Sequence, residues 1–239
     1  MSHLVLVRHG QASFLEKNYD QLSAKGEEQG RFLGAYWASH KVVFDRVYTG
    51  PKVRQRETAR ITGEAYQRAG IPWPEPQLLK EFDEFHAELV IEQALPGLIE
   101  TDERIRKMYA DFQAAATRPA QFKTFQRLFE VVVGRWAAGE LVVPGVEPWN
   151  DFVQRIRRAL RDLTGNGSSG KHIAIFTSGG PVAVAMQHAL DLSTPNTLKT
   201  AWMVRNCAYS DFLFSGERFT LSSFNAIPHL TDPEFITQR

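Results

Sequence analysis

The feature that most constrains the fold of this chain lies near its start, at residues 4–10. Residues 4–7 read Leu-Val-Leu-Val, an unbroken apolar run that is rich in β-branched side chains. Such a run predicts a strand that is buried on both faces, as in a parallel sheet. Arg8, His9 and Gly10 follow directly. Because open α/β sheets bind ligands at the carboxyl ends of their strands, and glycine lets the backbone approach a ligand closely, a ligand site is one interpretation of this tripeptide. The other is a strand that ends in a solvated arginine and a structural histidine, and the tripeptide alone does not decide between them.

The composition argues against several classes of protein. The 239 residues are 43% hydrophobic and 23% charged, which is typical of a folded domain with a sizeable core. The net charge of +1 does not indicate nucleic acid or a membrane surface as a partner. No apolar run is long enough to span a bilayer, and the single cysteine, Cys207, excludes an internal disulfide. Because a strand begins at the N-terminus, we expect no signal peptide. The sparse use of cysteine favours the cytosol, so a cytoplasmic protein is expected.

Further strand–turn–helix units follow along the chain. Residues 42–48 predict a second strand, which ends at Thr49-Gly50-Pro51 and precedes a helix over 52–67. Residues 172–176 predict a third strand, which ends at residues 177–180 and precedes a helix over 181–190. Together with a helix that Ser23 caps, these units predict an α/β fold with three layers, α/β/α, around a mainly parallel central sheet.

The remaining segments predict an insertion and two more strands. Residues 87–138 have a mostly helical pattern with breaks at Pro96-Gly97 and Pro119. We interpret about 87–145 as a helical insertion that lies over the strand ends, within a single domain of residues 1–239. Residues 207–214 and 218–224 predict two further strands, with a hairpin across Ser215-Gly216 as one way to pair them.

Three arginines lie near the start of the helix over 52–67. A basic side chain beside the free N–H groups of a first helical turn can form an anion site. Arg54 is the nearest to the strand end and is therefore a candidate ligand of an anion, whereas Arg56 and Arg60 are interpreted as a solvated basic face.

A set of motifs in this order resembles the histidine phosphatase superfamily, which has the phosphoglycerate-mutase-like fold. The motifs are Arg8-His9-Gly10, Leu22-Ser23 with Gly26 and Gln29, Thr49-Gly50-Pro51 with Arg54, Glu57-Thr58-Ala59, Leu79 with Glu81, residues 176–180 (Phe-Thr-Ser-Gly-Gly) and residues 225–230 (Asn-Ala-Ile-Pro-His-Leu). Only the helical region at about 87–145 has no counterpart in the resemblance. One such motif is weak evidence, but the ordered set is specific.

The resemblance implies phosphoryl transfer to a histidine. In the family the first histidine is the nucleophile, so His9 is expected to form a phosphohistidine that water then hydrolyses. The resemblance also implies that Arg8 and Arg54 bind the phosphate oxygens, and the backbone N–H groups of Gly179 and Gly180, at a helix start, can add donors. Glu81 matches the family's acid, with Asp83 and Glu84 as nearby alternatives. Because arginines supply the charge, neither a metal nor a cofactor is expected.

The chain departs from the family pattern at Ser178, where the family has a second histidine that binds phosphate. Serine can still donate one hydrogen bond, but it carries no charge. His172, His188 and His229 are possible replacements for the missing histidine, and none of them is assigned that role. Ser178 is therefore expected to be a phosphate ligand of a different kind.

These features predict a phosphoric monoester hydrolase. The expected reaction is hydrolysis of a small-molecule phosphomonoester through a phosphohistidine on His9. A phosphoglycerate-mutase-type phosphoryl transfer and a non-catalytic phospholigand-binding protein are the alternatives, and a phosphatase of phosphohistidine or phosphotyrosine in proteins is a further one. The expected partner is a small phosphorylated metabolite, with a second copy of the chain in a homodimer as an open alternative.

Overall fold

A computed structural model describes residues 2–13, 20–165 and 170–238 of the protein. Its sheet has six strands in the order β3-β2-β4-β1-β5-β6. The strands are β1 (Ser2–Arg8), β2 (Arg46–Thr49), β3 (Gln77–Leu78), β4 (His172–Thr177), β5 (Tyr209–Ser215) and β6 (Arg218–Ala226). β1 to β4 run parallel, β5 is antiparallel to β1, and β6 is antiparallel to β5. The predicted α/β class, the mainly parallel sheet and the hairpin of the last two strands are confirmed.

The described helices follow the sequence pattern closely near the sheet and less closely elsewhere. They are α1 (Ala24–Ser39), α2 (Val53–Arg68), α3 (Ala87–Thr101), α4 (Glu103–Gln113), α5 (Arg118–Ala137), α6 (Trp149–Thr164), α7 (Gly179–Leu190) and α8 (Thr194–Met203). Ser23 caps α1 as predicted, since its side chain accepts from the Gly26 N–H. None of the described helices is both long and apolar enough to cross a membrane.

The central strands are buried on both faces because helices cover both sides of the sheet. Val5 and Val7 of β1 share a buried cluster with Leu33 of α1 and Tyr66 of α2. Leu4 and Leu6 point to the opposite face, since side chains alternate along a strand, and both are completely buried. On that side α7 contacts β1 and β6. The helices that follow β1 and β4 therefore lie on opposite faces, and sheets with this arrangement bind ligands outside the carboxyl ends of two such neighbouring strands.

The chain divides into two compact units. One comprises residues 1–84 and 155–239 and contains the sheet, and the other comprises residues 85–154. The second unit contains α3 to α5 and the start of α6, and its core includes the rings of Phe85, Trp136, Trp149 and Phe152. The organisation inferred from the sequence, a single domain whose insertion at about 87–145 lies over the strand ends, stays a prediction.

One local prediction was wrong, and one helix was missed. Pro96 lies inside α3, which continues to Thr101, so the expected break at Pro96-Gly97 does not occur. A proline removes one backbone hydrogen bond of a helix, and here the turns on either side keep the helix intact. The helix ends instead at Asp102, whose side chain accepts from the N–H groups of Arg104 and Ile105 and so begins α4. Helix α8 was missed, although Ser193 and Pro195 at its start are common helix-initiating residues.

Candidate active site

The candidate site begins where β1 and β4 end side by side. Arg8 pairs with Thr177 in the parallel register, so His9 and Ser178 are the next residues on two adjacent strands. The His9 N–H donates to the Thr177 carbonyl at 2.9 Å, which extends the ladder by one bond. The sheet register thus brings together His9 and Ser178, which lie 169 positions apart in the sequence.

The loop that carries His9 is fixed by contacts on both sides. The Gly10 N–H donates to Thr58 Oγ1 at 3.0 Å, and the Gln11 N–H donates to Gln29 Oε1 at 2.8 Å. Gly10 also packs directly against the backbone of Gly26, since a Cβ atom at position 10 would lie 2.4 Å from the Gly26 carbonyl oxygen. A side chain at either glycine would displace the loop, which gives the two motif glycines a steric reason.

The imidazole of His9 is held in one tautomer. Its Nδ1 lies 2.7 Å from the Gly10 carbonyl oxygen, and its Nε2 lies 3.0 Å from Arg54 Nε. A carbonyl can only accept and a guanidinium can only donate, so Nδ1 carries the proton and Nε2 carries the lone pair. This is the arrangement that a nucleophilic histidine requires, with Nε2 as the attacking atom.

The environment of His9 keeps its ring neutral. The side chain is buried, and this burial is the largest cause that holds the pKa of His9 well below its ordinary value. The positive charges of Arg54 and Arg8 lower the pKa further, while the bond to the Gly10 carbonyl partly opposes the shift. The lone pair on Nε2 is therefore present at neutral pH.

Arg54 occupies the first turn of α2, as the sequence indicated, and it is almost fully buried. Its NH1 donates to Asp20 Oδ1 at 3.0 Å, while the other oxygen of Asp20 accepts from the Val53 N–H at 3.0 Å. Asp20 therefore holds both the guanidinium and the start of the helix. Sequence reasoning missed Asp20, and its only signal was an acidic residue shortly before the Leu22-Ser23 motif.

Arg8 and Arg54 differ in how they are held. The NH1 group of Arg8 donates to the Val204 carbonyl. This contact fixes one nitrogen of the guanidinium beside the strand end, and the charge of Arg8 reaches His9, as its effect on the His9 pKa shows. Both arginines therefore contribute positive potential at the predicted nucleophile.

At the end of β4, Ser178 is buried and its Oγ accepts from Gln55 Nε2 at 2.8 Å. Helix α7 begins at the next residue, Gly179. Gly179 is packed closely, since a Cβ atom there would lie 2.8 Å from the Ala201 carbonyl oxygen. Gln55 was not identified from the sequence, although it directly follows the candidate Arg54.

The acidic candidates are placed differently from one another. Glu81 lies on a short 3₁₀ helix, Lys80–Phe82, where its side chain is exposed and its carbonyl accepts from Arg155. Glu84 is half-buried, and its Oε2 accepts from the Gly180 N–H at 3.0 Å. The structure therefore places Glu84, one of the alternatives to Glu81, at the turn after β4, and the assignment of Glu81 as the acid stays a prediction.

Comparison with protein families matches residues 4–227 to the histidine phosphatase superfamily (branch 1). The chain belongs to this superfamily. The match covers both ends of the candidate site, from the first strand to the hairpin, so the resemblance seen in the motifs is confirmed.

Known proteins with similar sequence or structure include mutases and phosphatases. Phosphoglycerate mutase 1 of Saccharomyces cerevisiae is 40% identical over 78 residues, which is 30% of this chain and 32% of the yeast protein, so the aligned part spans about a third of that relative. A phosphoglycerate mutase from Bacillus anthracis superposes with a TM-score of 0.62 at 15% identity, over 96% of this chain and 95% of that one. A mutant phosphoserine phosphatase from Entamoeba histolytica, in complex with phosphoserine, gives a TM-score of 0.62 at 20% identity, over 96% of this chain and all (100%) of the other. At these identities the two structures show the fold.

Proposed function

We propose that the protein is a phosphatase that hydrolyses a small-molecule phosphomonoester through a phosphohistidine on His9. The observation that carries this proposal is the tautomer of His9. Its Nδ1 proton is bound to the Gly10 carbonyl, and its Nε2 lone pair faces Arg54. A buried neutral imidazole whose basic nitrogen points at a guanidinium is suited to attack a phosphoryl group that the same guanidinium binds.

The reaction has two steps, transfer of the phosphoryl group to His9 and its hydrolysis. In the first, Nε2 attacks phosphorus in line, the bond from phosphorus to the ester oxygen breaks, and an acid protonates the departing alkoxide. In the second, water attacks the phosphohistidine, inorganic phosphate leaves, and Nε2 regains its lone pair. The contact of Arg54 Nε with Nε2 gives way to a contact with a phosphoryl oxygen when substrate binds. Asp20 keeps the guanidinium in place during this exchange.

The phosphoryl oxygens have donors available from both strand ends. We assign Arg8 and Arg54 as the cationic ligands and the Ser178 hydroxyl as a neutral one. Within the first turn of α7, Gly180 N–H is engaged by Glu84 and Pro181 has no N–H, so Gly179 is the backbone donor that we assign to phosphate. This differs from the expectation that both glycines would serve.

The leaving-group acid is Glu81 or Glu84. The family motif supports Glu81, and the contact with the Gly180 N–H at 3.0 Å supports Glu84 as the carboxyl group nearer to the turn after β4. Either residue would protonate the alkoxide in the first step and accept a proton from water in the second.

The proposal is tested by two measurements on the purified protein. Phosphate release is measured across a panel of phosphorylated metabolites, including phosphoserine and sugar phosphates. A substrate labelled in its phosphoryl group is then mixed briefly with the protein and the reaction is quenched in base. We expect label that is acid-labile and base-stable, that maps to His9, and that is absent from His9→Ala. Label on another residue, or phosphate release that is unchanged in His9→Ala, would contradict the proposal.

A mutase is the second candidate, and the 40% identity over 78 residues with the yeast mutase favours it. A mutase returns the phosphoryl group to its substrate, whereas a phosphatase gives it to water. Incubation with phosphoglycerate isomers separates the two functions, because a mutase interconverts the isomers faster than it releases phosphate. If the protein binds phosphate esters without either reaction, it is a binding protein.

A further inference from the structure

The Ser178 hydroxyl is held differently from that of an ordinary capping serine. Ser178 precedes the first residue of α7, a position where serine normally accepts a hydrogen bond from the first N–H groups of the helix. It makes no such bond here. Its Oγ accepts from Gln55 Nε2 instead, and the two residues are only 1% and 0% exposed, respectively.

The orientation of the Gln55 amide follows from its other contact. Gln55 Oε1 accepts from the Lys52 N–H at 3.0 Å. Since a backbone N–H can only donate, the amide oxygen must face Lys52 and the amide nitrogen must face Ser178. Gly50 leaves room for this arrangement, because a Cβ atom there would lie 2.3 Å from Gln55 Oε1.

The direction of the Ser178 proton follows in turn. A hydroxyl has one donor and two acceptor sites, and Gln55 uses an acceptor site. The proton is therefore available to a third group, and among the described residues the structure shows no hydrogen bond that the Ser178 hydroxyl donates. Leaving a buried hydroxyl proton without an acceptor is unfavourable, so an oxygen atom of a ligand is the natural partner.

We propose that Gln55 is a positioning residue that makes Ser178 a hydrogen-bond donor to the phosphoryl group. This inference rests on the proposed function, because the accepting oxygen belongs to the bound phosphate. Consecutive residues of α2 then serve the two strand ends, with Arg54 bonded to His9 and Gln55 bonded to Ser178. The pair of Gln55 and Ser178 replaces, with an oriented neutral donor, the second histidine of the family pattern.

A double-mutant cycle tests the pairing. The affinity for inorganic phosphate is measured by direct titration, and kcat/KM is measured on an aryl phosphate, for Ser178→Ala, Gln55→Met and the double variant. We expect each single change to weaken both quantities by about threefold to tenfold, the worth of one neutral hydrogen bond. In the double variant, phosphate affinity and kcat/KM should be no lower than in the more impaired of the two single variants, because both changes remove the same donated bond. Losses that multiply would overturn the proposal.

Thr62→Val is the matched control, because it removes another buried hydroxyl of α2, one that donates to the Thr58 carbonyl at 2.8 Å. It should leave the affinity for phosphate unchanged. If Gln55→Met does not fold, Gln55→Glu takes its place, since a carboxylate keeps the acceptor for Lys52. That carboxylate must also take the Ser178 proton, so phosphate should bind more weakly than to Ser178→Ala. An unchanged affinity in Gln55→Glu would reject the inference.

Two substitutions at Ser178 test whether its hydroxyl is an oriented donor or whether the site has only lost the volume of a histidine. Ser178→Thr keeps the hydroxyl and should retain more of the phosphate affinity than Ser178→Ala. Ser178→His should lower kcat/KM, because Gln55 already fills part of the space beside this turn; a clear gain would show that the site has only lost a histidine. Titration with phosphate needs no turnover, so independent effects of the Gln55 and Ser178 changes on phosphate affinity would reject this inference while the proposed function stands. Conversely, coupled effects on phosphate affinity in a protein that hydrolyses no phosphate ester would contradict the proposed function alone.

Discussion

Two regions of the sheet-containing unit each bury a histidine, and they differ in what surrounds it. His9, in the loop after β1, lies between a carbonyl oxygen and a guanidinium. His229, in the segment after β6, faces the rings of Tyr36 and Tyr209 at centroid distances of 6.3 Å. Both side chains are almost inaccessible to solvent, at 5% and 7% exposure. Burial alone therefore does not distinguish the predicted nucleophile, His9, from His229.

Burial is also the largest cause that lowers the pKa of both histidines. It lowers the pKa of His229 to about 4, and the pKa of His9 lies well below its ordinary value. The difference is that two arginines add to the shift at His9, while none of the described arginines contributes to the shift at His229. A neutral ring becomes a nucleophile where a cation is ready to bind the charge of the substrate.

The largest expected effect on kcat/KM comes from substituting one of the two histidines, His9, and not the other, His229. His9→Ala should lower kcat/KM by more than about a thousandfold, because the atom that attacks phosphorus is lost. His229→Phe, which keeps an aromatic ring beside the two tyrosines, should change kcat/KM by less than about threefold. Steady-state assays of both variants on one substrate check this contrast. Similar losses in the two variants would erase the distinction between the regions.

Removing Arg54 makes the surroundings of His9 more like those of His229. Arg54→Met should lower kcat/KM by about a hundredfold to a thousandfold through the lost phosphate ligand. The positive charge of Arg54 lowers the pKa of His9, so its removal should raise that pKa and move the acid limb of the pH–rate profile to higher pH.

Arg54→Lys separates charge from geometry. The lysine keeps a positive charge, so the acid limb should stay near its original position, while kcat/KM still falls because an ammonium cannot bond both the phosphate and Asp20 in the planar geometry of a guanidinium. An acid limb that moves equally in both variants would show that Arg54 acts by packing rather than by its charge.

The strands that carry the candidate site could be predicted from local sequence. Residues 4–7 and 172–176 are continuous apolar runs, and such runs predict buried parallel strands whatever the rest of the chain does. The strand ends carry His9 and Ser178, so the sheet edge with the site could be predicted as well. Pro96 was misread because a proline inside a helix costs a bond without always ending the helix, and the neighbouring turns decide the outcome.

The side chains that support the site could not be predicted in the same way. Asp20 and Gln55 act through hydrogen bonds to Arg54 and Ser178, and such contacts depend on where α2 begins relative to the strand ends. A polar residue next to a candidate arginine has many alternative uses, and only the packed structure selects among them. Thr58 was noted as part of a motif, but its role as the acceptor for the Gly10 N–H needed the three-dimensional contact.

A smaller effect, confined to one class of substrate, should come from the two candidate acids, Glu81 and Glu84. Glu81→Gln is expected to slow the hydrolysis of alkyl esters by about a hundredfold, because a poor leaving group needs a proton. Aryl esters with acidic phenols should be nearly spared. Glu84→Gln on the same two substrates is the matched variant, since its carboxyl contacts the Gly180 N–H. If only Glu84→Gln discriminates between the esters, the acid role moves to Glu84.

The smallest effect on activity, and the one that defines the second region, concerns His229 and acid stability. The pKa of His229 is lowered from 6.5 to about 4 by burial, so between these values the unfolded chain binds a proton that the folded chain excludes. The folded state therefore has the full contribution of this group above pH 6.5 and loses it as the pH falls to about 4, by an amount of roughly 3 kcal/mol. His229→Phe has no proton to bind, so its free energy of unfolding should fall less over this range, whatever its value at pH 7. Urea unfolding at intervals from pH 7 to pH 4 measures the difference between the two proteins, and a difference that stays constant with pH would mean that His229 is not buried in its neutral form.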